Sequence, residues 1–421
     1  MWGRLHPRVW LGLYIAALAC LLLGMYAVRG PVKFFMRRAV EREYGGFLEP
    51  SWSFPYTGYI GDIEPASGGG LVILYNELYG DLAVESYAPD GQMQQRLVIE
   101  NPGLQFGVMR SLPDGYLVNS PGVVTKVTPS LTFDWKLSRD NLDPLPVLPD
   151  KPCEAVGVVA CPDGLFGVDD KGQPAWRAGL LNPLEADPQA GWRLSDRLRF
   201  GPTGEFILTD SNWRNETLQC IAYSSTGQEI YHTEIPKVYS PAWHPLRGGG
   251  MVVVCSAYES YRPQELENIW ISPDGQYQQG YGYGCLRSFS YDPAGKTYLV
   301  GREYVGTYEN EITWLSGCDT AGTVVNQFAL PGYVYALDFG SQGNLVVFWQ
   351  TMVARNRGLV LLGCYDPNGV KQWQRIIGRY EDSYFNAHLA FMRVVNDQVL
   401  LAFNYYNVAS DKLLSYPLPQ P

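Results

Sequence analysis

A turn signal returns seven times along this chain, each time after an apolar, β-rich run. Its forms are Tyr87-Ala-Pro-Asp-Gly91, Val127-Thr-Pro-Ser-Leu131, Val168-Asp-Asp-Lys-Gly172, Tyr223-Ser-Ser-Thr-Gly227, Ile271-Ser-Pro-Asp-Gly275, Cys318-Asp-Thr-Ala-Gly322 and Tyr365-Asp-Pro-Asn-Gly369. Copies stand 40 to 55 residues apart, too far for a leucine-rich or ankyrin solenoid. The spacing fits a four-stranded unit repeated around a ring, one β-propeller blade per copy.

A second cadence lies between these copies. It reads Gly68-Gly-Gly70 before LVILY, Pro113-Asp-Gly115 before YLVN, Pro149-Asp-Lys before CEAVGVVA, and Pro202-Thr-Gly204 before EFILT. It continues as Gly248-Gly-Gly250 before MVVVC, Pro293-Ala-Gly295 before KTYLV, Gln342-Gly343 before NLVVFW, and Asn396-Asp397 before QVLLAF. A turn followed by an uninterrupted apolar run of 4 to 8 residues is the expectation for a strand covered on both faces. These eight turns join first to second strands and count eight blades; seven is the alternative if the weak third unit is an insertion. The chain ends after Lys412-Leu-Leu-Ser-Tyr416 without a last outer strand, and Ser51-Trp52-Ser53-Phe54 is predicted to supply it. Pairing the two termini would close the ring and remove its exposed edges. The 29 Tyr, 45 Gly and 30 Pro suit short strands and tight turns.

Val9 to Val28 carries no charged residue. Twenty helical residues span about 30 Å, the thickness of a bilayer's hydrocarbon core, so this run is read as a membrane anchor. A cleaved signal peptide calls for a shorter apolar stretch, and here it continues through Leu21-Leu22-Leu23. The chain divides into an anchor and juxtamembrane stalk over 1–45 and a propeller over 46–421. Pro31 to Tyr44, with Phe34, Phe35 and Met36 among basic residues, reads as an interfacial helix or a solvated stalk. Arg29, Lys33, Arg37, Arg38 and Arg42 follow the span, which by the positive-inside rule favours a cytoplasmic propeller. Beyond residue 45, however, 25 basic against 40 acidic residues leave a net charge of −15, which an anionic cytoplasmic leaflet repels. The extracytoplasmic side is the expectation and the cytoplasmic side the alternative. The same charge argues against nucleic acid as a partner.

The body holds Cys153, Cys161, Cys220, Cys255, Cys285, Cys318 and Cys364, an odd number without a Cys-x-x-Cys pair. Buried thiols, rather than a disulfide framework or a zinc site, are expected. His6, His232, His244 and His388 share no metal-ligand spacing, and no nucleophile elbow, phosphate loop or dinucleotide fingerprint occurs. No catalytic residue, metal or cofactor is assigned.

The stretch Leu165-Phe-Gly-Val-Asp-Asp-Lys-Gly172-Gln-Pro-Ala-Trp176 resembles the repeat of the pyrroloquinoline-quinone-type (PQQ-like) propellers. In that repeat an acidic turn ending in Gly is followed four residues later by a Trp that docks between blades. The same offset gives Trp135 after Leu131, Tyr231 after Gly227 and Trp373 after Gly369; Gln95, Gln279 and Asn326 occupy it elsewhere. The resemblance implies a fold over most of the chain. It implies no activity, because the family holds both quinone-dependent dehydrogenases and cofactor-free scaffolds.

The candidate binding residues lie in connections between second and third strands. They are Trp213 and Arg214 in blade 4, Tyr258, Tyr261 and Arg262 in blade 5, Tyr304 and Tyr308 in blade 6, and Arg355 and Arg357 in blade 7. Aromatic side chains and Arg combine large contact area with a polar handle, which is why interfaces collect them. The expected function is a membrane-anchored scaffold that holds another protein or an anionic or carbohydrate polymer. The alternative is an exported quinone-dependent or hydrolytic enzyme.

Overall fold

The computed structural model describes residues 42–418 except 57, 77–80, 101–106, 121–122, 139–147, 150–151, 162–163, 180–197, 202, 213–216, 237–241, 247–248, 256–266, 282–296, 305–310, 320–322, 341, 355–356, 367, 380–387 and 405–411. Strand β1 (Trp52–Pro55) comes first. Blade 1 follows with β2 (Tyr59–Pro65), β3 (Leu71–Asn76), β4 (Leu82–Tyr87) and β5 (Met93–Ile99); blade 2 holds β6 (Val108–Leu112), β7 (Gly115–Ser120), β8 (Val123–Val127) and β9 (Phe133–Ser138). Blade 3 holds β10 (Gly157–Cys161), β11 (Gly164–Val168) and β12 (Pro174–Ala178). Blade 4 holds β13 (Leu198–Phe200), β14 (Phe206–Asn212), β15 (Thr217–Tyr223) and β16 (Glu229–Pro236). Blade 5 holds β17 (Ala242–Pro245), β18 (Met251–Cys255), β19 (Glu267–Ile271) and β20 (Tyr277–Tyr281); blade 6 holds β21 (Thr297–Tyr304), β22 (Glu311–Cys318) and β23 (Val324–Pro331). Blade 7 holds β24 (Tyr333–Phe339), β25 (Leu345–Ala354), β26 (Arg357–Tyr365) and β27 (Lys371–Arg379), and blade 8 holds β28 (His388–Val395), β29 (Gln398–Asn404) and β30 (Lys412–Pro417).

These strands form eight separate antiparallel sheets, six of four strands and two of three among the described residues. The third unit is a sheet of its own, so the count is eight and not seven. In blades 3 and 6 the turns at 168–172 and 318–322 join the last two strands. Their three strands therefore correspond to the second, third and fourth of a full blade, and the stretches predicted to hold the first strand lie largely outside the described residues. β1 pairs with β30, Trp52 opposite Ser415 and Pro55 opposite Lys412, which is the predicted closure.

Eight hydrophobic clusters hold the ring, one at each seam between neighbouring blades. Blade 1 shows how a strand serves two of them. Along β3 the residues Leu71, Ile73 and Tyr75 pack toward blade 8 with Leu400, Ala402 and Leu413, while Val72 and Leu74 pack toward blade 2 with Met109 and Val118. Period-two alternation sends successive side chains to opposite faces, and both faces are covered, so the whole strand is apolar and buried. Each fully buried Val, Leu or Ile of this kind contributes about 1.5–3 kcal/mol. The seam between blades 5 and 6 is the thinnest described, built from Leu246, Val252, Trp270 and Cys318.

Outer-strand aromatics add a second fastening. Trp135 on β9 donates from Nε1 to the Asp170 carbonyl at 2.8 Å, and Trp176 on β12 donates to the Ser225 carbonyl at 2.9 Å, each reaching into the next blade's turn. The indole faces lie where a Cβ on Gly172 or Gly227 would sit, 2.7 and 2.4 Å from the ring atoms. Glycine is required there twice over, because φ is +76° and +75°. Tyr231 covers Gly275 in the same way. In blade 6 the docking residue is not Asn326, at the predicted offset, but Phe328, two positions on, which covers Gly369 and stacks on Tyr365 at 4.9 Å. Trp52 performs the task for the closing blade, packing on Gly91 and donating to the Pro89 carbonyl at 3.1 Å.

Ahead of β1 the chain runs along the outer edge of blade 7. Phe47 forms a parallel bridge with Ile376; the Leu48 N–H donates to the Ile376 carbonyl at 2.8 Å, and the Ile376 N–H to the Gly46 carbonyl at 3.1 Å. Tyr44 and Phe47 pack on the cluster shared by blades 6 and 7. Among the described residues no helix is long and apolar enough to cross a membrane; the run Val9–Val28 lies outside them. None of Cys153, Cys220, Cys318 and Cys364 is in a disulfide. Cys220, Cys318 and Cys364 are buried as expected, whereas Cys153 is exposed because it precedes β10 instead of lying within it.

Candidate functional site

Strands alternate direction within each blade, which sorts the connections by end. Turns between first and second strands and between third and fourth strands share one end of the ring. Connections between second and third strands share the other, with the links from blade to blade. Two of the predicted residues stand at that second end. Tyr304 is the last residue of β21, opposite Glu311, and Arg357 is the first of β26, opposite Ala354. Both therefore stand at the mouths of their connections, in neighbouring blades. Trp213, Arg214, Tyr258, Tyr261, Arg262, Tyr308 and Arg355 lie outside the described residues.

Polar groups that sequence reasoning missed stand at the same end. Tyr335, at a bulge in β24, donates to Gln350 Oε1 on β25 at 2.5 Å and meets the Tyr333 ring edge-on at 4.5 Å. In blade 1, Asn76 accepts from the Gly107 N–H at 2.8 Å, tying the last residue of β3 to the start of blade 2. Asn119 on β7 does the same for blade 3, accepting from the Val158 N–H at 3.1 Å and donating to the Val158 carbonyl at 2.9 Å. A buried amide with two backbone partners costs nothing in unsatisfied groups, and here it fixes where one blade hands over to the next.

The innermost strands carry a charged belt through four consecutive blades. Asp338 on β24 accepts from the Val394 N–H on β28 at 2.7 Å. Arg393 on β28 pairs with Glu64 on β2 at 3.5 Å, and Ser111 on β6 donates to the other Glu64 oxygen at 2.7 Å. Asp62 on β2 accepts from the Ile63 N–H at 2.9 Å and the Met109 N–H at 3.4 Å. Burial pushes Asp62 up to about 6, with the Glu64 carboxylate adding to the rise and Arg393 opposing it. Burial also works against the charge on Arg393, but Asp62, Asp338 and Glu64 together hold its pKa above the ordinary range. Next along the wall, Arg110 donates to the Val156 carbonyl and lies 5.0 Å over the Phe200 ring. Its charge is disfavoured by burial.

The only sequence trace of this belt is an acid set among apolar strand residues, as in Tyr59-Ile-Gly-Asp62-Ile and Ala336-Leu-Asp338-Phe. Its chemistry is that of a fastening: carboxylates held by backbone N–H groups of the next blade and by one shared guanidinium. Among the described residues no group of three His, Cys, Asp or Glu side chains could hold a metal ion.

No protein-family model matches the chain, and no curated protein does. Among solved structures it is similar to one described as a crystal structure of the eukaryotic initiation factor, at 9% identity and a TM-score of 0.48, covering 87% of this chain and 92% of that one. It is similar also to the WD40 domain of Pan2 from Neurospora crassa, at 10% identity and a TM-score of 0.45, covering 86% and 90%. At these values neither likeness bears on function, and the assignment as a β-propeller stands on the eight sheets and their eight seams.

Proposed function

We propose that this chain is a membrane-anchored β-propeller that holds a protein partner on the end of the ring carrying the second-to-third-strand connections. The observation that carries the reading is topological. Tyr304 and Arg357 stand at the mouths of adjacent connections at one end, and the same strand order brings the connections holding Trp213, Tyr261, Tyr308 and Arg355 to that end. On this reading, residues about 45 apart in sequence share one surface. The anchor is the uncharged run Val9–Val28, and the acidic body favours the extracytoplasmic side. Partner capture from native membranes tests the reading. A combined Tyr261→Ala, Tyr308→Ala and Arg357→Ala variant should lose a partner that the wild type retains, and an identical partner list and yield would refute it.

Docking of Trp135 and Trp176 on turn glycines supports placing the repeat with the PQQ-like propellers, and that kinship keeps the enzymatic alternative in view. Absorbance of the purified protein separates the two. A bound chromophore would remove the scaffold-only reading, and a spectrum of aromatic side chains alone would favour it.

A further inference from the structure

The anchor joins the propeller off-centre, and the joint falls at a particular place. Residues 43–48 run parallel to β27, with the Gln374 side chain donating to the Glu43 carbonyl at 3.2 Å and Phe47 level with Ile376. Because β27 starts at the 365–369 turn, a chain parallel to it arrives from the turn end of the ring. The chain then stays on that half of the edge, where the Ser51 N–H donates to the Ser415 carbonyl at 2.7 Å, near the end of β30. Thirteen residues separate Val28 from Arg42. They reach at most about 45 Å fully extended and about 20 Å as a helix, so the turn end of blade 7 is held close to wherever the span ends.

That edge has the composition of a surface that meets lipid headgroups. Val324 and Val325 at the start of β23 are 54% and 51% exposed, and Val370, in the turn just before β27, is 58% exposed. Lys371 is exposed beside them, and the stalk leading in carries Lys33, Arg37 and Arg38 with Phe34, Phe35 and Met36. Apolar side chains with basic neighbours bind at the headgroup boundary by burying area and by attraction to phosphate. Two acids on this edge are held in their own turns, while Glu43 on the incoming segment is exposed. Asp366 accepts the Asn368 and Val370 N–H groups at 2.9 and 2.8 Å, and Asp319 accepts the Thr323 N–H at 2.9 Å.

We infer that the turn end of blades 6 and 7, around Val324, Val325 and Val370, is the edge of the propeller that lies against the membrane, and that the end bearing the second-to-third-strand connections faces away from it. The inference rests on reading Val9–Val28 as a membrane anchor.

The test uses the full chain with Cys153→Ser, reconstituted in phosphatidylcholine vesicles containing headgroup nitroxide lipid. A fluorophore is placed at Val325→Cys, Val370→Cys or Phe133→Cys in turn, and the chain without an added cysteine supplies the background. Phe133 is an exposed apolar residue at the turn end of blade 2, across the ring from blade 6. Quenching at least twofold stronger at 325 and 370 than at 133 is the expected result. Equal quenching at all three, weak or strong, overturns the assignment of this edge while leaving the anchor intact. Recovery of the protein free of vesicles overturns the anchor and the edge together.

Discussion

At the turn end of the ring, seven third-to-fourth-strand turns repeat one geometry. In each, the N–H of the first turn residue donates to the carbonyl four positions on, as from Ala88 to Gln92 and from Asp366 to Val370. Asp169, Ser224 or Thr128 adds a side-chain acceptor for the same loop, the reason such residues recur at turn starts. At the opposite end the second-to-third connections run from two residues between β7 and β8 to eleven between β18 and β19. One end is uniform because each of its turns receives an aromatic from the preceding blade or borders a seam. The other varies in length from blade to blade, and that variation is where recognition can be written.

The largest effect that would break this contrast concerns the docked aromatics. Trp176→Ala should cost about 3–5 kcal/mol of stability in denaturant unfolding, as for other buried aromatic truncations; a loss under about 1 kcal/mol would mean that the repeated turn is decoration. Gly227→Val should cost about 1–3 kcal/mol for the backbone conformation alone, with the Trp176 ring crowded in addition. At the other end the pattern should invert. Tyr308→Ala or Arg357→Ala should weaken partner capture by about 1–3 kcal/mol while changing unfolding by less than about 0.5 kcal/mol.

A smaller effect tests the inner wall. The folded protein holds a proton on Asp62 up to about 6, against an ordinary 3.8. Its contribution to stability is therefore complete at lower pH than that ordinary value and is lost as pH rises through about 6. Wild type should lose about 2 kcal/mol relative to Asp62→Asn between about pH 4 and pH 7, and parallel stability profiles would show that this carboxylate is not held as described. Gln95→Ala, where no aromatic docks, should move stability by less than about 0.5 kcal/mol; a larger loss would show that the undocked seam between blades 1 and 2 has a fastening of its own.

The blades were legible because their turns are local. Asp-Pro-Asn-Gly over 366–369 carries its geometry within four residues, and the apolar run after Gly70 states its own burial. Even the ring's closure could be read, since a missing fourth strand at one terminus matched a spare one at the other. Phe328 was missed because the four-residue offset presumes a turn of fixed length, whereas any residue two positions further along a strand faces the same side. The belt of Asp62, Glu64 and Arg393 was missed for a deeper reason. Glu64 and Arg393 are 329 residues apart, and nothing near either names the other. Seven of the nine candidate binding residues fall in connections whose sequence suggests contact without specifying a partner.

The pairing of Trp52 with Ser415 also sets an order of events. The strand that completes blade 8 is the first to be synthesised and must wait for nearly the whole chain before its partner exists. Loop-closure entropy grows only logarithmically with length, so the joint is inexpensive at equilibrium, but contacts this far apart in sequence form slowly. A chain stopped just short of Lys412 therefore has seven whole blades and still leaves Trp52 and Phe54 unplaced. Refolding after dilution from denaturant should therefore be limited by the pairing of β1 with β30.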